Sequence, residues 1–180
     1  VVGMSGGVDS SVAAWLLKEQ GYEVIGVTME IWKPEAGEEG CGTSEAVRDA
    51  KRVAEILEIP HYVMDFKEEF REKVVSYFIE SYEKGITPNP CIVCNRMIKW
   101  ESLLEKSLQL GADYIATGHY SGIERLENGR YALKVAKYLP KDQTYALYLL
   151  TQNQLAHTLM PLGGYEKPEI RELAKKAGLF

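Results

Sequence analysis

Apolar and polar positions change rhythm several times along the chain, and each change marks an element. Val1-Val2 is a short β-branched run and Ser5-Gly6-Gly7 a turn, after which Val8, Val12, Trp15 and Leu16 recur at the spacing of one helix face. Gly21 fits a helix stop, and Tyr22 to Met29 reads as a second buried strand. A strand, a helix and a strand joined by short turns predict a parallel pair with a right-handed crossover. Lys33 to Gly42, rich in Pro, Gly and Glu, reads as a mobile loop carrying Cys41. Thr43 or Ser44 can then cap a helix whose apolar face is Ala46, Val47, Ala50, Val53, Ala54 and Leu57. His61 to Phe66 is a third strand, and Phe70, Val74, Tyr77, Phe78 and Ser81 or Tyr82 trace a long helix after it. Met97, Ile98, Leu103, Leu104 and Leu108 trace another, Gly111 ends it, and Asp113 to Thr117 is a further strand.

Beyond that strand the period drops to two. Ile123 to Glu127 and Arg130 to Val135 flank Asn128-Gly129, the signature of a type I′ hairpin. Tyr145 to Leu150 reads as a mostly apolar helix, and Pro168 to Gly178 as an amphipathic one with Pro in its first turn. Together these elements predict a three-layer α/β fold with a mainly parallel sheet and a small late hairpin and helical extension.

The 180 residues, 46% of them hydrophobic, suffice for one globular domain with a core of its own. No stretch is long and apolar enough to span a bilayer and the N-terminus enters a strand at once, so the expectation is a cytoplasmic protein with no membrane partner. The chain lacks a starting Met and stops just after a helix, where a strand would naturally begin; it reads as an excerpt of a longer protein. Cys41, Cys91 and Cys94 are its only thiols, an odd set that favours reduced cysteines used for chemistry or metal over a disulfide framework. A net charge of −5 argues against a general nucleic-acid coat and leaves room for a local basic track.

The turn after the first strand carries the clearest chemistry. Adjacent glycines let backbone N–H groups approach a ligand, and the helix start leaves further donors unpaired at its positive dipole end. Ser5, Ser10 and Ser11 add hydroxyls, and Asp9 can cap the helix or hold a metal ion that bridges phosphate oxygens. No Lys follows the glycines as in a Walker loop, and the three spaced glycines of the dinucleotide fingerprint are absent. Ser5-Gly6-Gly7-Val8-Asp9-Ser10 instead resembles the pyrophosphate loop of the ATP pyrophosphatases, which split ATP into AMP and pyrophosphate to adenylate an oxygen. Phosphate sites in parallel sheets lie beyond the strands' carboxyl ends, which puts Met29, Gly118 and His119 near the nucleotide; core packing accounts for Met29 and His119 equally well. His61, at the opposite end of its strand, is read as structural.

Gly85 to Asn95 breaks the pattern. Pro88 and Pro90 stiffen a loop that presents Cys91 and Cys94, and Arg96, Lys99 and a helix start near Asn95 favour the thiolate. A half zinc site or a buried pair is the alternative; a closed zinc site is disfavoured because a second pair of ligands is missing. Lys141-Asp142-Gln143-Thr144 reads either as a nucleic-acid contact or as an exposed helix cap.

Four segments together, Gly3 to Ser11, Thr87-Pro88-Asn89-Pro90 with Cys94-Asn95, Ala116 to Tyr120, and Lys141-Asp142-Gln143, resemble the tRNA-specific 2-thiouridylase family in order and separation over essentially the whole chain. The resemblance implies an adenine nucleotide alpha hydrolase-like, Rossmann-like fold. Residues 1–120 would form the catalytic nucleotide-binding domain, and 121–180 the hairpin and helices that complete it. It implies that ATP is bound by Gly3, Met4, Ser5, Gly6, Gly7, Val8, Asp9, Ser10, Met29 and Gly118, with Mg²⁺ assisting. It also implies that Asn89, Pro90 and Cys91 meet the target base, that Cys94 is the nucleophile with Asp9 supporting catalysis, and that Lys141, Asp142 and Gln143 touch tRNA. The implied reaction replaces the C2 oxygen of the wobble uridine with sulfur, delivered as a persulfide by a donor protein. Two departures stand out. The family's second catalytic cysteine has no counterpart here, so this stretch alone is expected to bind nucleotide without thiolating. Cys91 also stands where many members carry Asp, which opens an iron-sulfur [4Fe–4S] alternative through Cys91 and Cys94. The competing readings are an amide-forming synthetase of the same fold, in which the cysteine-bearing loop has no task, and a non-catalytic nucleotide-binding module.

Overall fold

The computed structural model describes residues 1–32 and 44–179; Cys41, Thr43 and the loop from Lys33 to Gly42 lie outside the described residues. The chain enters at β1 (Val2–Gly3) and passes through a tight turn into α1 (Val8–Glu19). The strand expected from Tyr22 shortens to β2 (Gly26–Glu30). The cause lies in the helix end: Gly21 is left-handed, its N–H bonds Lys18 O and the Tyr22 N–H bonds Leu17 O, so Tyr22 belongs to the helix closure.

Then follow α2 (Ser44–Ile56), β3 (His61–Asp65) and a continuous helical run, α3, made of Lys67–Phe70, a π-helical Arg71–Val75 and Ser76–Glu83. A second run, α4, joins Pro90–Cys94, a π-helical Asn95–Leu103 and Leu104–Gln109. After β4 (Ile115–Ala116) come the hairpin strands β5 (Gly122–Arg125) and β6 (Tyr131–Lys134), α5 (Gln152–Ala156), β7 (Thr158–Leu159) and α6 (Lys167–Lys176).

The described residues form a five-stranded sheet in the order β3-β2-β1-β4-β7 with parallel neighbours, plus the antiparallel β5-β6 pair. Successive side chains point to opposite faces, and helices cover both. On one face Val2, Met4 and Ala116 pack with Val12 and Leu16 of α1, Val53 of α2 and Ile170 of α6. On the other, Val27 and Met29 pack with Val74 of α3 and with Ile98 and Leu103 of α4. This is the expected three-layer α/β arrangement. A buried polar chain fastens α4 to the sheet's far edge: Trp100 Nε1 donates to Thr158 Oγ1 at 2.8 Å, and Gln154 Nε2 donates to Trp100 O at 2.8 Å.

Three local expectations change. The hairpin turn is not type I′: among the described residues only Gly129 of the Asn-Gly pair has positive φ, and Gly129 N–H bonds Leu126 O at 2.9 Å. Asn128 serves instead through its side chain, accepting Arg130 N–H at 3.0 Å. Tyr145 to Leu150 is not an α-helix: one 3₁₀ turn, Leu139–Lys141, precedes it and a second, Thr144–Ala146, takes in its first two residues, with Tyr145 and Tyr148 exposed. Ala146 and Leu147 are buried there, and the backbone turns tightly instead of continuing as an α-helix. Thirdly, α4 begins at Pro90, not near Asn95. Asn89 is its N-cap, accepting Cys91 N–H at 3.1 Å, and Pro90 supplies the preset φ of a first helical residue.

Candidate functional site

Strand order reverses at β1, which neighbours β2 on one side and β4 on the other, so a crevice opens beyond their carboxyl ends. Gly3, Met4 and Ser5 from the β1 exit, Asp9 and Ser10 from α1, Met29 from β2 and Thr117, Gly118 and His119 after β4 line a cleft there of about 230 Å³. The loop is built for close approach. Gly6 has φ +77°, and a Cβ on it would stand 2.8 Å from Ala46 O; a Cβ on Gly118 would stand 2.7 Å from Ser10 N. Gly6 thus lets α2 lie over the turn, and Gly118 lets the β4 loop press on the start of α1. No side chain caps α1, so its first-turn N–H groups keep their unpaired donors toward the cleft. Ser10 Oγ accepts Ser5 N–H at 3.2 Å and donates to Gly7 O at 3.1 Å, which fixes the loop's curvature.

Asp9 does not cap the helix. Its Oδ1 accepts from Tyr120 OH at 2.9 Å and pairs with Lys167 at the start of α6. Burial, followed by the Asp9 charge and this hydrogen bond, pushes the Tyr120 hydroxyl well above its usual range, so Tyr120 stays a donor.

A second cleft, of about 350 Å³, is lined by Pro90, Cys91, Cys94 and Asn95 of α4 together with Ile31, Phe70, Val74, Tyr145 and Ala146. Cys91 is exposed and Cys94 half-buried against the Met29 side of the core. Asn95 is 3% exposed; its Nδ2 donates to Ala146 O at 3.3 Å and its Oδ1 has no partner among the described residues. Lys99, His119 and Gln143 line both clefts, which therefore meet along one wall. His119 is buried against Trp100, shares a 2.7 Å hydrogen bond through Nδ1 with Thr117 Oγ1, and is held neutral far below its usual range by burial and then by the Lys99 charge.

A separate depression of about 280 Å³, bordered by Val1, Tyr22, Ile25, Leu110 and Tyr114, lies at the amino ends of the strands. That end of a parallel sheet is not where phosphates bind.

Over residues 1–180 the sequence matches the tRNA methyl transferase HUP domain family. The chain belongs to that family. It is 63% identical over 185 residues to a tRNA-specific 2-thiouridylase MnmA of Lachnoclostridium phytofermentans, covering 100% of this chain and 52% of that protein. It is 62% identical over 184 residues to the same-named protein of Clostridium kluyveri, covering 100% of this chain and 51% of that one. The chain thus spans about half the length of the curated relatives it matches. Among solved structures it shares its fold with the U34-tRNA thiolase NcsA from Methanococcus maripaludis with its [4Fe-4S] cluster (TM-score 0.58, 22% identity, 98% of this chain and 55% of that one). It also shares it with the NMN synthetase of Francisella tularensis (TM-score 0.55, 19% identity, 99% of this chain and 60% of that one).

Of the nucleotide set expected for this HUP domain, Gly3, Met4, Ser5, Asp9, Ser10, Met29 and Gly118 line the first cleft. Gly6, Gly7 and Val8 do not: Gly6 turns under α2, Gly7 is the N-cap and Val8 packs on the core. Pro90, Cys91 and Cys94 line the second cleft, while the Asn89 side chain caps α4. Lys141, Asp142 and Gln143 point three ways. Lys141 is exposed; Asp142 accepts from Ala136 N at 2.8 Å and from Thr144; Gln143 Oε1 accepts from Tyr120 N at 3.0 Å beside the shared wall. His61 shares a 2.9 Å hydrogen bond with Thr28 Oγ1, in keeping with its structural reading. Lys99, Thr117 and Asn95 also line the clefts, as do Ile31, Phe70, Val74, Tyr145 and Ala146, and none of these eight was placed there from sequence. The available signal was the four-residue spacing of Asn95 and Lys99, which puts both on one helix face.

Proposed function

We propose that this chain is the nucleotide-binding and base-adenylating part of an ATP-dependent tRNA sulfurtransferase that installs sulfur at C2 of the wobble uridine. The observation that carries the reading is the shared wall: a lysine-free glycine loop and a half-buried thiol open onto adjoining clefts. The names of the relatives, tRNA-specific 2-thiouridylases at 63% and 62% identity, support tRNA as the substrate, and the glycine loop at the first cleft supports ATP as the co-substrate.

A uracil carbonyl oxygen is a poor leaving group. Its attack on the α-phosphorus makes it one that leaves as AMP, with the departing pyrophosphate held by the loop N–H groups and the dipole of α1. A persulfide sulfur, brought by a donor protein to a carrier thiol elsewhere in the complete enzyme, then displaces AMP at C2. The Cys94 thiolate attacks the carrier sulfur, the S–S bond breaks, and the base keeps the terminal sulfur while the two cysteines end as a disulfide.

The described residues do not by themselves fit a metal. Among them no three ligating side chains come together, Asp9 already has Lys167 and Tyr120 on Oδ1, and Cys91 with Cys94 make two of the thiolates a [4Fe–4S] cluster takes. No step is therefore assigned to Mg²⁺ or to a cluster.

Pyrophosphate release by the full-length protein tests the reading, with tRNA carrying uridine or cytidine at the wobble position. Release is expected with uridine alone; release with both, or with neither, overturns it.

A further inference from the structure

Lys99 stands where the two clefts meet and, among the described residues, is the one cationic side chain lining either. Lys67, Lys106, Lys137 and Lys167 each hold a carboxylate. The Lys99 ammonium makes no hydrogen bond and no ion pair among the described residues. A half-buried cation without a carboxylate partner draws an anion toward it. Its ionisable neighbour His119 is neutral, hence neither competes for that anion nor repels it.

The order of groups along the clefts says which anion. On the proposed function the loop at the start of α1 takes the terminal phosphates and Cys94 marks the base, which brings the α-phosphorus between them to the wall of lining residues that the two clefts share, Lys99 among them. We propose that Lys99 is a catalytic residue of the adenylation step, holding a non-bridging α-phosphate oxygen as negative charge builds on it. The inference rests on the proposed function. In the step, the uracil O2 lone pair forms the O2–Pα bond. The bond from Pα to its bridging oxygen breaks, its electron pair leaves on pyrophosphate, and the N3 proton passes to solvent. The oxygens Lys99 holds carry more charge in that transition state than in ATP, so its effect falls on kcat more than on ATP affinity. The same contact helps AMP leave when sulfur attacks C2.

Two measurements on the full-length protein test this, one without turnover. In calorimetry, wild type is expected to bind AMP at least tenfold more tightly than adenosine. Lys99→Met should erase that advantage while binding of pyrophosphate stays within about twofold. In turnover, Lys99→Met should lower kcat for tRNA-dependent pyrophosphate release by about 100-fold with the KM for ATP changed less than about threefold, and Lys99→Arg should recover part of kcat. An unchanged AMP preference, an unchanged kcat, or a loss confined to KM overturns the role. If the variant loses pyrophosphate binding as well, the loop has been disturbed, and Lys99→Gln with thermal melting decides: a folded Gln variant with wild-type AMP preference overturns it. Wild type that releases no pyrophosphate sinks the sulfurtransferase reading, while the AMP comparison still judges Lys99.

Discussion

His119 shows how a single residue ties the site to the stability of the fold. It is buried beside Trp100 and neutral, held far below its ordinary value of 6.5, first by burial and then by the Lys99 charge. The unfolded chain binds a proton at this ring below about pH 6.5 and the native state does not, so native stability is full above that pH and drains away as pH falls toward the folded value. His61, lowered by burial and by Lys51, adds a second loss in the same direction. The expected result is that His119→Gln flattens the fall in urea-unfolding free energy between pH 7 and pH 5 without abolishing it. A slope identical to wild type would show that His119 is protonated in the native state. Sequence alone left this histidine undecided between packing and ligand contact. Its burial depends on Trp100 and Thr117 arriving from α4 and from the end of β4, and no local pattern encodes that meeting.

At the scale of elements, helix ends were the most legible feature and also yield a prediction. Gly21, Gly111 and Gly178 close α1, α4 and α6 in left-handed conformations, as expected of glycines after a helical face. α2 closes in the same way through a different residue: Glu58 has φ 52°, with Ile59 N–H bonding Ala54 O at 3.0 Å and Glu58 N–H bonding Glu55 O at 3.1 Å. A left-handed L-residue costs about 1–2 kcal/mol, of which glycine's freer unfolded chain returns about 0.4–1 kcal/mol. Glu58→Gly is therefore expected to stabilise the protein by about 0.5–1 kcal/mol, while Glu58→Ala gives nothing; thermal or urea unfolding of the pair checks it, and equal effects would refute the account. The elements that misled have physical reasons too. Asn89-Pro90 carried cap and first-turn chemistry that is identical, residue by residue, to loop chemistry, so α4 began a turn earlier than expected. Tyr145, Tyr148 and Leu149 are apolar yet exposed, so composition there promised a helix that packing does not supply.

The fold of the described residues is held by a contact between its early helix α1 and its late helix α6. The mainly parallel sheet was implicit in alternating strands and helices, but which late residue reaches the glycine loop was not, because 158 positions separate Lys167 from Asp9. α6 packs on α1, and that packing brings Lys167 to the Asp9 carboxylate at the first cleft, which Asp9 helps to line. The pair is mostly shielded on the lysine side, 19% exposed, and more open at Asp9, 35% exposed, so solvent screening leaves it a modest stability of about 1 kcal/mol. Its larger consequence is electrostatic. If the first cleft takes phosphates, as proposed, the Asp9 carboxylate repels that ligand unless a cation offsets it, and Lys167 supplies that offset from 158 positions later in the sequence. Lys167→Met should thus weaken ATP binding to the full-length protein by several-fold, and Asp9→Asn added to it should restore most of the affinity, because the uncompensated charge is gone. Each single variant also loses about 1 kcal/mol of unfolding free energy, and the double variant loses no more than either. Additive losses in ATP affinity across the cycle would mean that Asp9 and Lys167 touch the nucleotide separately, and that the contact between α6 and α1 serves stability alone.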